Sequence, residues 1–238
     1  MDGQLHALHA TPNRARMIGR MLPRSMRLSA LMTVVFAAHL PAQQARPVAP
    51  AVVPKTVAYL SDSPENGTRS LHRWETLPGD QMRTLRLFIA PLPDGFDPRF
   101  ASVAYFALSD WASESGIRLR FQLVENVETA DIELLWVDRF EDERAGVAAW
   151  SADEDGWLQF ATVDFALHHP DGTRIGLEFF RTVALHESGH VLGLPHSGDP
   201  RDVMHPGSSN TSLSERDQSS IRRLYSLSPW SLLPGQHP

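Results

Sequence analysis

The sequence contains the pattern H-E-x-x-H-x-x-G-x-x-H, formed by His186, Glu187, His190, Gly193 and His196. Residues four apart lie on one face of a helix, so His186 and His190 can direct two imidazole nitrogens at one zinc ion. Glu187 lies about 100° further around the helix and stands beside the metal, where it can accept a proton from zinc-bound water. The pattern therefore predicts a helix that carries both a zinc site and a general base.

The second half of the pattern predicts a third ligand and an open coordination position. Gly193 can end the helix in a left-handed conformation, and Pro195 discourages further helix. The chain can then return His196 to the metal as the third ligand. Three protein ligands leave the fourth position open for water, which distinguishes catalytic zinc sites from closed structural ones.

The residues around the motif predict that its helix is buried. Apolar side chains cover the side away from the histidines: Phe180, Ala184, Leu185, Val191 and Leu192. Gly189 costs about 1 kcal/mol relative to alanine in a helix interior. A glycine at that cost suggests that another group approaches the backbone closely at this position.

Together with the residues that follow it, the motif resembles that of the metzincin metallopeptidases. Residues 202–206, Asp-Val-Met-His-Pro, are similar to the metzincin Met-turn, and Ser197 and the stretch 213–225 resemble the matrixin branch in particular. The resemblance implies one catalytic zinc ion held by the three histidines, with Met204 as a hydrophobic floor beneath them. Pro206 stands where astacin-like relatives carry a tyrosine, so no tyrosine ligand is expected.

The resemblance implies a secreted zinc-dependent endopeptidase that hydrolyses peptide bonds with a water activated by Glu187. Two other classes of protein stay open at this point. One is a secreted zinc-binding or adhesion module that has lost catalysis, although a site that only binds metal has no need of Glu187. The other is a structural protein with a closed zinc site, which would require His205 as a fourth ligand from a distorted Met-turn.

Hydrophobic patterns upstream of the motif predict a fold that contains both helices and strands, α/β (α+β). The resemblance to the metzincins implies that the strands form one twisted, mixed, five-stranded sheet. Alternating or continuous apolar residues predict strands at 84–90, 117–123, 130–137, 146–150 and 157–163. Comparison with the metzincin sheet assigns 157–163 to the edge that borders the cleft. Such an edge can hold an extended peptide through its backbone N–H and C=O groups.

About three helices are expected, of which the zinc-site helix is one. The first has Asp97 as its N-cap and Pro98 at its first position, and it continues to about Glu114. The last begins after Ser214, with Asp217 in the position of a capping box. The alternation of helices and strands indicates a mixed sheet with a crossover connection.

The first 45 residues are typical of a secretory signal peptide with a long basic leader. Arginines lie between Arg14 and Arg27, an apolar run of thirteen residues extends from Leu28 to Leu40, and residues 41–45 supply small side chains for cleavage. A run of this length is too short to cross a bilayer as a stable helix. We therefore expect a secreted or periplasmic protein, monomeric and without a stable membrane span after cleavage.

The remaining chain divides into three parts. Residues 46–80 are rich in proline and turn signals and are interpreted as a linker or short pro-segment. Residues 81–228 are assigned to the metallopeptidase domain, and residues 229–238 to a tail. Matrixin pro-segments commonly carry a cysteine that caps the zinc; this chain has no cysteine, so that latency device is not expected.

The net charge of the chain without its leader bears on which class of molecule it can bind. Removing residues 1–45 leaves 17 basic and 27 acidic residues, a net charge of about −10. Nucleic-acid binding would need a basic face, and none is visible. The expected partner is a protein or peptide substrate.

The sequence also bears on whether the chain binds a second metal ion. The acidic excess suits calcium, and the charged loop 138–144 could supply ligands, although a solvated loop explains the same composition. Matrixins often hold a second, structural zinc through histidines that precede the active-site helix, but residues 138–165 contain none. His168 and His169 lie beyond that region, and adjacent side chains generally diverge. The sequence therefore predicts a single zinc ion per chain.

Overall fold

The computed structural model describes residues 32–35, 59–60 and 71–227. Its strands are β1 (Met32–Val35), β2 (Arg83–Ile89), β3 (Leu119–Leu123), β4 (Ile132–Val137), β5 (Gly146–Ala152) and β6 (Leu158–Ala166). Its helices are α1 (Arg99–Ser115), α2 (Leu177–Val191) and α3 (Glu215–Ser226), with a 3-10 turn at Val127–Thr129. None of the helices among these residues combines the length and apolar character needed to cross a bilayer.

The six strands form one mixed sheet in the order β1-β5-β6-β4-β2-β3. Strand β2 is parallel to both β3 and β4, and β4 is parallel to β6. Strand β5 runs antiparallel to β6, and β1 runs antiparallel to β5. Helix α1 connects the parallel strands β2 and β3, as a crossover requires. The α/β fold with five strands between residues 83 and 166 is confirmed, and β1 adds a sixth strand from within the expected leader.

The strand that was expected at the edge of the sheet lies inside it. Strand β6 pairs with β4 on one side and with β5 on the other. The assignment of 157–163 to the edge bordering the cleft is therefore wrong. The hairpin after β5 returns the chain inwards, and the continuous burial of residues 161–163 is typical of an inner strand. Strand β5 lies between β6 and β1, and β1 is the outermost strand on this side of the sheet.

The helix boundaries follow the predicted caps closely. Pro98 is the N-cap of α1 rather than its first residue, and the side chain of Asp97 accepts a hydrogen bond of 2.9 Å from the backbone N–H of Arg99. The first helix thus begins one residue later than expected. Helix α3 begins after Ser214 with the predicted capping box, in which Ser214 and Asp217 each accept from the other's backbone N–H.

The hydrophobic core extends upstream of residue 81. Tyr59, Leu71 and Trp74 are buried together with the apolar residues of the sheet and helices. The indole N–H of Trp74 donates to the carbonyl oxygen of Val191, the last residue of α2, at 2.9 Å. Part of the stretch interpreted as linker or pro-segment therefore packs directly beneath the helix that carries the motif.

Candidate metal centre

Helix α2 is held in the interior along most of its length. Residues 182–191 are all buried. The indole N–H of Trp111 in α1 donates to the carbonyl oxygen of Leu185 at 2.8 Å. Gly189 faces the sulfur of Met204, and a Cβ added at this glycine would overlap with that sulfur atom. The close approach predicted at Gly189 is confirmed. Helix α2 is thus packed between α1, through Trp111, and the Met-turn, through Met204.

The turn after α2 requires a glycine. Gly193 adopts φ = +100°, in the left-handed region that side chains disfavour. A Cβ at this position would also overlap with the backbone carbonyl of His72. The predicted left-handed turn at Gly193 is confirmed, and it returns the chain so that His196 faces the preceding helix.

The structure brings His186, His190 and His196 together. One ring nitrogen of each histidine lies within 4.8 Å of the corresponding atoms of the other two. The Nδ1 atoms of His186 and His190 each lie 2.8 Å from a backbone carbonyl oxygen, that of Val203 and that of Leu194 respectively. A carbonyl oxygen only accepts, so both Nδ1 atoms carry the proton and both Nε2 atoms present lone pairs.

This arrangement fits a zinc ion. The Nε2 atoms of His186 and His190 are 3.0 Å apart, close to the roughly 3.3 Å that separates two nitrogens on one tetrahedral zinc. Two lone pairs that face each other at this distance repel unless a cation lies between them. Burial lowers the pKa of His186 to about 3 and holds the pKa of His190 well below its usual value, and the neighbouring histidines act in the same direction. The rings are therefore neutral near pH 7, as metal ligands must be.

Glu187 lies beside the cluster in a fully buried position. Neither oxygen of its carboxylate makes a hydrogen bond of normal geometry within the described residues. Burial raises the pKa of Glu187 to about 8, although the backbone N–H of Ala148 acts in the opposite direction. A Cβ added at Gly146 would lie 2.6 Å from Cγ of Glu187. Strand β5 therefore passes directly over this side chain.

The Met-turn packs against the other side of the cluster. Met204 is fully buried against Gly189, and its carbonyl oxygen accepts a hydrogen bond of 2.9 Å from the backbone N–H of Ser197. This bond ties the turn to the residue that follows His196. Pro206 is half-buried two residues further on, and it contributes no atom to the histidine cluster.

The remaining histidines singled out from the sequence are not members of this cluster. Nδ1 of His205 accepts from the backbone N–H of Gly207 at 3.1 Å. His168 pairs with Asp138 at 2.8 Å, and His169 packs against the ring of Phe179. The three-histidine group is the only cluster of three or more metal-ligating side chains within residues 32–35, 59–60 and 71–227.

The carboxylates of the charged loop are engaged by neighbouring arginines. Asp138 lies 2.9 Å from the guanidinium of Arg139, and Asp142 lies 2.7 Å from that of Arg144. These arginines hold the pKa of both aspartates below the usual range. Arginines within the loop therefore pair with two of its four acidic groups, Asp138 and Asp142.

Two contacts at the centre were not anticipated from the sequence. Gly146 admits Glu187 beneath β5, and the carboxylate of Asp217 accepts a hydrogen bond of 2.8 Å from the backbone N–H of Val203. A glycine at the start of a predicted strand was the available signal for the first, since such glycines often mark close packing. Nothing in the local pattern around Asp217 indicated a second role beyond the helix cap.

Comparison with known proteins identifies one matching family and several similar proteins. The family described as matrixin matches residues 97–226. Metalloendoproteinase 1 of Glycine max is 29% identical over 190 residues, which cover 74% of this chain and 60% of that protein. Matrilysin of Felis catus is 47% identical over 60 residues, and matrilysin of Homo sapiens is 42% identical over 60 residues. Each matrilysin match covers 23% of this chain and 22% of the relative.

The alignments cover only part of the length of each relative. The aligned part spans about three fifths of the Glycine max protein and about a fifth of each matrilysin. The matched family region contains α1, the strands from β3 to β6, α2, the Met-turn and α3. It therefore includes every residue of the histidine cluster.

Proposed function

The chain belongs to the matrixin family, and on this basis we propose that it is a zinc-dependent endopeptidase that acts on proteins or peptides outside the cytoplasm. The observation that carries the proposal is the buried carboxylate of Glu187 beside the cluster of three histidines. Burying a carboxylate without protein hydrogen bonds is costly. Beside a bound metal ion the same group would be paired electrostatically and placed to move a proton.

The proposed roles follow from the positions of the side chains. His186, His190 and His196 would hold the zinc ion. Zinc, when bound, would polarise the scissile carbonyl and lower the pKa of water towards 7. Glu187 would accept the proton of the attacking water and later deliver it to the leaving amine. Gly193 and the two Met-turn residues Met204 and Pro206 would support the site by shape, without contact with the reacting atoms.

We expect the substrate to bind in an extended conformation along the outer edge of β5. That edge pairs with an extended segment of this chain, β1, in antiparallel register, with Val35 opposite Val147. Strand β5 begins at Gly146, which packs against Glu187, so a peptide on the same edge would pass the proposed catalytic group. Because β1 lies within the expected leader, cleavage of that leader would make the edge available to another strand.

The alternative functions are less compatible with the geometry. A secreted zinc-binding or adhesion module would gain nothing from a buried Glu187 whose oxygens make no hydrogen bond of normal geometry within the described residues. A closed structural site would need a fourth ligand, and His205 is instead turned towards the N–H of Gly207. A metal site with three protein ligands and an adjacent base therefore favours peptide hydrolysis over the binding module and over the closed structural site.

Cleavage of a peptide library by the purified exported protein tests the proposal. We expect cleavage at internal peptide bonds that stops when a zinc chelator is added and returns when zinc is restored. A preparation of Glu187→Ala made in the same way controls for contaminating proteases. Chelator-insensitive cleavage, or none at all with zinc bound, would contradict the proposed function.

We further expect one tightly held zinc ion per chain. The three-histidine cluster accounts for one ion, and oxygen-rich groups elsewhere select poorly for zinc. Elemental analysis after dialysis against metal-free buffer should give close to one zinc, and the same measurement reports whether calcium is retained. A second tightly held zinc that survives His168→Ala and His169→Ala would show that another site exists.

Export provides a separate prediction. We expect the mature chain to begin between about Gln43 and Pro47, because small residues follow the apolar run there. Terminal sequencing by mass spectrometry of protein from the extracytoplasmic fraction checks this. An intact terminus at Met1 on cytoplasmic protein would be incompatible with a cleaved leader.

A further inference from the structure

Tyr59 is anchored to the last helix although it lies in a stretch of linker-like composition. Its side chain is fully buried. Its backbone N–H donates to Oγ of Ser220 at 3.0 Å, and its hydroxyl donates to Oδ1 of Asp217 at 2.9 Å. The guanidinium of Arg216 lies 5.5 Å from the centre of the tyrosine ring. Two hydrogen bonds and a cation over the ring thus fix Tyr59 on α3.

The carboxylate that receives the hydroxyl of Tyr59 also holds the Met-turn. Within the described part of the chain, Oδ1 of Asp217 accepts from Tyr59, whereas Oδ2 accepts from the backbone N–H groups of Val203 at 2.8 Å and Ser214 at 2.9 Å. Asp217 is itself fully buried. Each oxygen therefore has a defined role, and the orientation of the carboxylate depends on donors on both sides.

The next hydrogen bond in this series, after those of Tyr59 and Asp217, reaches the histidine cluster. The carbonyl oxygen of Val203 accepts the Nδ1 proton of His186 at 2.8 Å. That bond sets the tautomer and the ring orientation of His186, so that Nε2 faces the other histidines. The hydroxyl of Tyr59 is thus connected to a proposed metal ligand through Asp217 and the peptide groups of Val203.

We propose that Tyr59 is a positioning residue of the zinc site, which orients His186 through Asp217 and Val203. This inference rests on the zinc-peptidase function proposed above. Burial raises the pKa of Tyr59 well above its usual value, so its hydroxyl stays protonated and remains a donor at working pH. Without that donor, the buried carboxylate of Asp217 loses the partner of one oxygen and holds Val203 less firmly.

A comparison of Tyr59→Phe with Tyr105→Phe in the otherwise unchanged chain tests this role. Both changes remove one hydroxyl, but that of Tyr105 donates to the carbonyl oxygen of Phe121 at 3.4 Å, between α1 and β3. Three quantities are measured: the zinc dissociation constant by chelator competition, the visible spectrum of the Co²⁺-substituted protein, and kcat and KM separately.

For Tyr59→Phe we expect the zinc dissociation constant to rise about threefold to thirtyfold. Direct partners of metal ligands are typically associated with 10- to 100-fold effects, and Tyr59 acts two steps further away, through Asp217 and Val203. The Co²⁺ absorption bands should shift, since they report ligand geometry rather than overall stability. The value of kcat should fall while KM stays near that of the parent, and Tyr105→Phe should change none of these quantities.

An unchanged zinc affinity and Co²⁺ spectrum in Tyr59→Phe would overturn the inference, even if that variant unfolded more easily. If Tyr59→Phe fails to fold, Ser220→Ala loosens the same anchor by removing the acceptor of the Tyr59 N–H. The same criteria then apply to it. Zinc affinity is measured without substrate, so a parent protein that binds zinc but cleaves no peptide would refute the proposed function and leave the positioning role testable.

Discussion

Replacing Glu187 with alanine is expected to lower kcat for peptide hydrolysis at least about a hundredfold, the low end for loss of a general base. The carboxylate is buried beside the histidine cluster, and no other carboxylate lies in that cluster among the described residues. The three histidines are untouched by the change, so the variant should retain its zinc. Rates measured at saturating peptide, together with zinc content by elemental analysis, check both parts of the expectation.

Glu178→Ala provides a matched control for this variant. Glu178 lies in the first turn of the same helix, α2, and its side chain is exposed. The same substitution there should leave kcat close to the parent value. Undiminished hydrolysis by a clean preparation of Glu187→Ala would remove Glu187 from the role of base, whereas equal losses in both variants would point to damage to the helix instead.

The features that the sequence predicted correctly depend on neighbours within a few residues. The H-E-x-x-H spacing places two histidines on one helix face, and the left-handed turn at Gly193 follows from the preference of glycine for positive φ. The capping box of Ser214 and Asp217 is likewise a relation between residues three apart. In each case the local pattern contains all of the physical information that the feature requires.

The features that the sequence did not predict depend on distant pairings. The hydrophobic pattern of 157–163 indicates a strand, but the order of strands in a sheet is set by partners elsewhere in the chain. For the same reason, proline-rich composition could not reveal that Tyr59 binds to Asp217, 158 residues away. Gly189 marks the intermediate case: its cost in a helix indicated a close approach, and only the fold identifies Met204 as the approaching group.

The loss of one ligand should have an effect different in kind from the loss of the base. We expect His190→Ala to bind zinc more than about a hundredfold less tightly, because even the partners of metal ligands are associated with 10- to 100-fold effects. Hydrolysis should then fall to background at ordinary zinc concentrations, together with metal content. Zinc content after dialysis and the zinc dissociation constant are the measurements, and His168→Ala is the control, since that ring pairs with Asp138 outside the cluster.

Unfolding measurements separate loss of metal from loss of structure in His190→Ala. The change removes the donor to the carbonyl oxygen of Leu194, so some destabilisation of the metal-free protein, about 1–3 kcal/mol, is expected in any case. A ligand that binds only the folded state adds about 2.7 kcal/mol to the free energy of unfolding at a hundred times its dissociation constant. The parent and His168→Ala should show this zinc-dependent increase in urea titrations, and His190→Ala should not show it at the same zinc concentration. Full zinc occupancy in His190→Ala, or an equal zinc-dependent increase in all three proteins, would mean that the metal is held by residues other than this cluster.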